Sequence, residues 1–83
     1  MSKKYTKEQI FDKLCEILSK EFEIEKSKLT LEANLFTDLE LDSIDAVDLA
    51  VRLQQYSEKR ISPEEFKQIR TMSDVVEAVY NLL

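Results

Sequence analysis

Residues 38 to 49, the most informative part of the chain, read Asp-Leu-Glu-Leu-Asp-Ser-Ile-Asp-Ala-Val-Asp-Leu. From Ser43 onward the apolar residues recur at the spacing of an amphipathic helix. Asp42 has the side chain of a helix N-cap, which places Ser43 in the first turn. The Ser43 hydroxyl is therefore predicted to project from a helix N-terminus, where free backbone N–H groups and the helix dipole favour an attached anion such as a phosphodiester.

No residue that could make Ser43 a nucleophile lies near it. The chain has no histidine to act as a base and no glycine to build an oxyanion loop, and the nearest following basic residue is Arg52. An activated serine needs an adjacent base and donors for the developing charge. The pattern therefore indicates a serine that is modified, or an ordinary serine at a helix start, where Ser is common, rather than one that catalyses a reaction.

The chain around Ser43 combines apolar and acidic residues at Leu35, Phe36, Asp38, Leu39, Leu41, Asp42, Ile44, Asp45, Val47, Asp48 and Leu49. Together with Ser43 they resemble the signature of the acyl carrier protein family. In that family the serine of Asp-Ser-Leu, here Asp42-Ser43-Ile44, carries 4'-phosphopantetheine, whose thiol holds an acyl chain as a thioester. The resemblance spans nearly the whole chain, and it implies a carrier for fatty-acid or specialised lipid or polyketide biosynthesis rather than an enzyme.

The resemblance also implies partners. A phosphopantetheinyl transferase would install the arm from coenzyme A, and a ketosynthase and other acyl-processing enzymes would then bind in turn. The expected charge contacts are Asp42, Asp45 and Asp48, with Ile44 and Val47 as apolar contacts. The alternative, from another class of protein, is an unmodified helical adaptor that binds one partner through the wide apolar face of the second helix.

Four positions correspond to the place where the family's acyl pocket opens between the second and third helices. They are Val51, Ile61, Phe66 and Ile69. Phe66 is bulkier than the small residue common there, so we expect a shallow pocket that shelters long chains poorly.

Three departures from the family pattern are informative. Many members have glycine three residues before the serine, where this chain has Glu40, so we expect the turn into Ser43 to form without the positive-φ geometry of glycine. The chain lacks the Gly-Gly pair of peptidyl carriers. Late in the second helix, Gln54 and Gln55 stand where typical fatty-acid carriers have glutamates, and the same helix contains Arg52.

The sequence from Leu41 to Leu49, continued through Gln54 and Gln55 to Ile61–Phe66, resembles stand-alone carriers of specialised bacterial lipid or polyene clusters (aryl polyene type). We therefore expect a dedicated pathway rather than general fatty-acid synthesis.

Length and charge limit the remaining function classes. Eighty-three residues make one domain, predicted to span residues 1–83 as a monomer. The formal charge of −5 argues against nucleic-acid binding. Between Leu29 and Val51 there is no lysine or arginine, and six carboxylates form what we call the acidic strip: Glu32, Asp38, Glu40, Asp42, Asp45 and Asp48. Such a strip would attract basic partner surfaces, although a charge run is commonly only a solvated helix face.

Metal and membrane sites are not expected. Asp38, Glu40 and Asp42 alternate like the first ligands of an EF-hand, but Ser43 stands where its glycine belongs and Leu49 where its bidentate glutamate belongs. A chain with no histidine and one cysteine cannot build a zinc site.

The single cysteine, Cys15, indicates a reducing compartment. No apolar run is long enough for a signal peptide or a transmembrane helix. We therefore expect a cytoplasmic protein without stable membrane insertion.

The helical periodicity predicts an all-α four-helix bundle with three longer helices and one short helix. The first helix is expected over Tyr5 to Phe22 and the second from Asp42 or Ser43 to about Ser57. Ser62, Pro63 and Glu65 indicate the short third helix, and the fourth begins at Thr71 or Ser73. The connection from Glu23 to Leu41 is expected to be pinned by apolar residues, with a short turn at Asn34 to Leu39. These residues are Ile24, Leu29, Leu31, Leu35, Phe36 and Leu39.

Overall fold

The computed structural model describes residues 4–61, 66 and 68–83. Over these residues the chain forms three α-helices, which are α1 (Lys7–Glu21), α2 (Ser43–Ser57) and α3 (Met72–Leu82). A short 3₁₀ turn at Lys26–Lys28 interrupts the connection between α1 and α2, and the described part contains no β-strand. The predicted all-α class is confirmed. The predicted short helix at Ser62, Pro63 and Glu65 lies outside the described residues.

Each of the three helices begins with a capping box, in which the N-cap side chain and the side chain three residues later each accept the other residue's backbone N–H. The pairs are Thr6 with Gln9, Asp42 with Asp45, and Thr71 with Asp74. These boxes satisfy backbone donors that the first turn of a helix leaves unpaired. They explain why α1, α2 and α3 begin where the sequence pattern places them.

The core lies between the apolar faces of the helices, and α1 packs more extensively on α3 than on α2. The buried residues of α1 are Ile10, Leu14, Ile17 and Leu18, and those of α3 are Met72, Val75, Val76 and Val79. Burying a large aliphatic side chain stabilises the fold by roughly 1.5–3 kcal/mol before the loss of side-chain conformational entropy is subtracted. Cys15 is half-buried against this core, as a small filler would be, and burial raises the pKa of its thiol.

The long α1–α2 connection is tied to the start of α3 by backbone hydrogen bonds. The Leu35 N–H donates to the Arg70 carbonyl at 2.8 Å, and the N–H groups of Met72 and Ser73 donate to the carbonyls of Ala33 and Leu31 at 3.0 Å each. These bonds satisfy polar backbone groups that a packed loop would otherwise leave without partners. The connection is therefore a part of the fold that crosses the bundle.

A turn at Asn34 shapes the second half of this connection. The Asn34 side-chain oxygen accepts the N–H groups of Phe36 and Thr37 at 2.9 and 3.0 Å, and Asp38 accepts the Asn34 N–H at 2.8 Å. The predicted turn at Asn34 to Leu39 is thereby confirmed, because these are the local bonds that Asn and Asp side chains make in turns.

The predicted apolar anchors of the connection are buried in part. Leu29, Leu35 and Leu39 lie in the core, and Ile24 and Phe36 are partly buried against it. The expectation for Leu31 was wrong, because its side chain is 46% exposed. Two residues that were not among the predicted anchors, Ala33 and Leu41, are also buried.

None of the helices in the described part of the chain has the length and the apolar composition needed to span a bilayer.

Candidate functional site

Ser43 is the first residue of α2, and its side chain is exposed. The turn around it is fixed by the Asp42–Asp45 capping box. Asp42 Oδ1 accepts the Asp45 N–H at 2.8 Å, and Asp45 Oδ2 accepts the Asp42 N–H at 3.3 Å. The described residues supply no acceptor for the N–H groups of Ser43 and Ile44. The first turn of α2 thus presents a hydroxyl beside two unpaired amide donors, the arrangement in which helix N-termini bind anions.

The turn that leads into Ser43 corrects one expectation from the sequence. Glu40 has φ +57°, which is the left-handed conformation that glycine adopts most easily. The expectation that this turn forms without positive-φ geometry was wrong, because the backbone keeps that geometry and a glutamate adopts it. A hydrogen bond from the Leu41 N–H to the Leu35 carbonyl at 2.9 Å closes the loop that contains Glu40. The hydrogen bonding of this loop therefore sets the conformation of Glu40 against the preference of the residue.

An exposed apolar edge runs along α2 beside Ser43. Ile44 is 77% exposed, Val47 64% and Val51 43%. The other face of the same helix is buried, through Ala46, Leu49, Ala50 and Leu53. Large apolar side chains left in water on one side of a helix are a common mark of an interaction surface. The structure therefore places the two predicted apolar contacts, Ile44 and Val47, next to Ser43, and adds Val51 to the same edge.

The three aspartates predicted as partner contacts all have partners within the chain. Asp42 and Asp45 hold each other's backbone N–H groups in the capping box. Asp48 Oδ2 accepts a hydrogen bond from Arg52 Nε at 3.4 Å, and the Arg52 Nη2 atom lies 3.4 Å from Glu21 Oε2 on α1. The sequence indicated the N-cap role of Asp42 but not the partners of Asp45 and Asp48. The four-residue spacing of Asp48 and Arg52 was a signal for their ion pair, whereas the contact with Glu21 depends on how the helices pack.

An open cleft of about 420 Å³ lies between the end of α1 and the turn before Ser43. Its lining includes the apolar Phe22 and Leu41, the carboxylates of Glu23, Glu25 and Asp45, and one cation, Lys28. Glu23 and Glu25 were not part of the predicted acidic strip, because they precede it by several residues. Acidic residues near the start of α2 therefore continue onto the first part of the α1–α2 connection, where Lys28 offsets some of their charge.

The residues predicted for the acyl pocket divide into two groups. Ile61, Phe66 and Ile69 are buried, with 5%, 6% and 4% of their surface exposed, and they belong to the same hydrophobic core. Val51 is partly exposed and lies on the apolar edge of α2. The structure thus brings three of the four residues into the core and leaves the fourth at the surface.

Comparison with known proteins identifies the family. A family model described as a phosphopantetheine attachment site matches residues 12–79, which include the turn, Ser43 and all of α2. The chain is 49% identical over 78 residues to acyl carrier protein 2 of Ralstonia nicotianae, an alignment that covers 94% of this chain and 96% of that protein. The chain belongs to the acyl carrier protein family.

Other acyl carrier proteins agree in sequence and in fold. The acyl carrier protein of Coprothermobacter proteolyticus is 40% identical over 73 residues, covering 88% of this chain and 89% of its own. The crystal structure of the acyl carrier protein from Thermotoga maritima superposes with a TM-score of 0.81 at 28% identity, covering 92% of this chain and 88% of that one. The acyl carrier protein from Enterococcus faecalis gives 0.80 at 28% identity, covering 95% and 100%.

Membership in the acyl carrier protein family confirms three predictions. The protein is a carrier rather than a catalyst, its cofactor is phosphopantetheine, and its family is the one that the residues around Ser43 indicated. The same matches argue against the unmodified adaptor. As members of this family do, the protein interacts with a phosphopantetheinyl transferase and with acyl-processing enzymes.

Proposed function

We propose that Ser43 carries the phosphopantetheine arm of this acyl carrier protein. The observation that carries the proposal is the exposed hydroxyl at the first residue of α2, beside the unpaired N–H groups of Ser43 and Ile44. A phosphodiester on this oxygen would meet amide donors and the positive end of the helix dipole. The neighbouring carboxylates of Asp42 and Asp45 each accept a backbone N–H, which reduces their repulsion of the phosphate.

Other serines in the matched region suit the role less well. Ser57 is fully buried, and the Ser19 hydroxyl donates to the Glu16 carbonyl within α1. Ser73 lies in the first turn of α3, where its N–H is already bonded to the Leu31 carbonyl. Among the described serines, Ser43 alone combines exposure, a helix start and a neighbouring apolar edge.

The attachment chemistry needs a transferase. The Ser43 Oγ would bond to the phosphorus of the phosphopantetheine phosphate in coenzyme A, the pyrophosphate bond would break, and adenosine 3',5'-bisphosphate would leave. The serine proton must pass to a base on the transferase, since this chain has no histidine. Once attached, the arm supplies a thiol that holds an acyl group as a thioester. The protein's own contribution is to present the hydroxyl and the surface that partners bind.

We propose that partners contact the face of α2 around Ser43. Ile44 and Val47 would supply the apolar contact, and Asp42, Asp45 and Asp48 the negative charge that a basic partner surface complements. The partners would be the transferase, a ketosynthase and other acyl-processing enzymes.

We propose that the acyl chain enters the core between α2 and the segment containing Phe66. Val51 would lie at the mouth, with Ile61, Phe66 and Ile69 inside. Because Phe66 is buried and large, its ring would have to move before a long chain could enter, which supports a shallow pocket.

The remaining expectations stand as proposals about the whole molecule. Residues 1–83 would form a single carrier domain, a monomer located in the cytoplasm. A short helix at Ser62, Pro63 and Glu65 would complete a four-helix bundle, a proposal that rests on the capping pattern and on the likeness to solved carriers. The carrier would serve a dedicated lipid or polyene pathway. Loading it with malonyl and acyl groups and supplying it to general fatty-acid synthase enzymes tests that claim, and elongation as fast as with their own carrier would overturn it.

The attachment site is tested by intact mass. Incubation with coenzyme A and a broad-specificity phosphopantetheinyl transferase should add one phosphopantetheine to the wild-type protein and none to Ser43→Ala. Ser73→Ala is the matched control, because it removes a hydroxyl from the first turn of a different helix, and it should be modified like the wild type. An unmodified wild type, or modification that survives in Ser43→Ala, would refute the proposal.

A further inference from the structure

Arg52 connects α2 to α1 and to the acidic face. Its guanidinium lies between two carboxylates, with Nε 3.4 Å from Asp48 Oδ2 and Nη2 3.4 Å from Glu21 Oε2. All three side chains are partly exposed, at 36% for Arg52, 49% for Asp48 and 47% for Glu21. The planar guanidinium can bond both carboxylates at once because its donors point in different directions.

This arrangement changes the charge that a partner meets along α2. Asp42 and Asp45 lie in the first turn, next to Ser43, and no cation of the described residues lies within ion-pair distance of either. Asp48 lies about one turn further along and is paired with Arg52. Beyond Arg52, α2 carries two neutral glutamines, of which Gln54 is partly exposed and Gln55 is exposed. The unpaired negative charge of α2 therefore ends within its first turn.

We propose that Arg52 determines partner specificity by keeping Asp48 paired within the chain, so that Asp48 offers less charge to a basic partner than Asp42 and Asp45 do at the Ser43 end of α2. The inference rests on the proposed role of this face as the partner surface. The partner that fits is an enzyme whose basic side chains cluster within about one helical turn, or 5.4 Å, of Ser43.

A partner with a longer row of basic residues is disfavoured for two reasons. It would have to displace Arg52 to reach the Asp48 carboxylate, and the displaced guanidinium would then face cations of the same sign. Like charges brought together at an interface lower affinity and select against the wrong partner. Arg52 thus acts through Asp48 and the local potential.

The test is a double-mutant cycle between Arg52→Gln and Asp48→Asn. The readout is the initial rate of modification by a broad-specificity phosphopantetheinyl transferase with coenzyme A, measured against carrier concentration at 0.15 M ionic strength, where the Debye length is about 8 Å. We expect Arg52→Gln to lower KM about threefold without changing kcat, the size of effect that one exposed ion pair produces. Asp48→Asn should raise KM less than about twofold in the wild type but about fivefold in Arg52→Gln, because the carboxylate is then free to contact the transferase.

Two controls separate this role from net charge and from helix packing. Arg60→Gln removes the same charge from an exposed arginine outside α2, and Asp48→Asn should act on it as it does on the wild type. Glu21→Gln removes the contact with α1 but leaves Arg52 beside Asp48, so its KM should stay at the wild-type value.

Each outcome of this experiment decides a distinct claim. Equal effects of Asp48→Asn in the wild type and in Arg52→Gln would overturn the proposal, as would a Glu21→Gln variant that reproduces the KM of Arg52→Gln. A wild-type protein that is not modified at all would instead refute the proposed attachment to Ser43.

Discussion

Replacing Glu40 by glycine should stabilise this protein. Glu40 has φ +57°, and a left-handed backbone costs an L-residue other than glycine about 1–2 kcal/mol. Glycine removes that cost but adds about 0.5–1 kcal/mol of conformational entropy to be lost on folding. Subtracting one range from the other leaves a net gain of about 0–1.5 kcal/mol, with a central value of about 0.75 kcal/mol. In a domain of this size 1 kcal/mol corresponds to about 4–8 °C, so the central value corresponds to a rise in Tm of roughly 3–6 °C.

Thermal unfolding followed by far-UV circular dichroism measures this change, and two variants isolate its cause. Glu40→Ala removes the carboxylate but keeps a Cβ in the left-handed conformation, so it should gain little. Glu77→Gly makes the same substitution at an exposed position inside α3, where it should cost about 0.5 kcal/mol or more. A Glu40→Gly variant whose Tm falls as that of Glu77→Gly does would refute the argument.

Three further predictions follow from the site and its supports. Asp45→Lys and Asp48→Lys should both slow modification by the transferase. Asp45→Lys should also lower the free energy of unfolding by about 1 kcal/mol, because it removes a capping side chain and places a cation at a helix N-terminus. Equal Tm values for the two variants would contradict this. Backbone N–H groups of Thr71 and Arg70 lower the pKa of Asp74 below its ordinary value of 3.8, so its contribution to stability should be complete above that value and be lost as the pH falls through the lowered folded pKa. Asp74→Asn should remove that part of the acid dependence, and an unchanged acid-unfolding profile would count against the role of the cap. For the acyl pocket, Tm and thioester lifetime should stop rising at short acyl chains because Phe66 fills the space, whereas a steady rise to long chains would show that the ring moves aside.

The helix starts could be predicted because local chemistry determines them. Thr6, Asp42 and Thr71 bond backbone groups only three residues away, so the short sequence around each contains the necessary information. The same holds for the Asn34 turn. The predicted position of Ser43 at the start of α2 followed from one such cap.

The features that could not be predicted depend on contacts that reach beyond the three-residue spacing of a helix cap. The conformation of Glu40 is set by a turn that closes on Leu35, and nothing in the residue itself favours positive φ. Leu31 is exposed although it is apolar, since a connection without helical period gives no rule for which side chains turn inward. The contact between Arg52 and Glu21 likewise requires the packing of α2 on α1.

The packing of α1 on α3 has a consequence for the timing of folding during synthesis. The last residue of α3, Leu82, follows the end of α1 at Glu21 by 61 residues (82 − 21), so the part of α1 that packs on α3 stays uncovered until translation has passed Leu82. At about 5–20 residues per second, the ribosome needs roughly 3–12 s to add those residues. The backbone bonds of Leu31, Ala33 and Leu35 to the start of α3 must wait for that synthesis as well. The capping box of Asp42 and Asp45 needs no residue of α3, so the turn that presents Ser43 can form before the connection is bonded to α3.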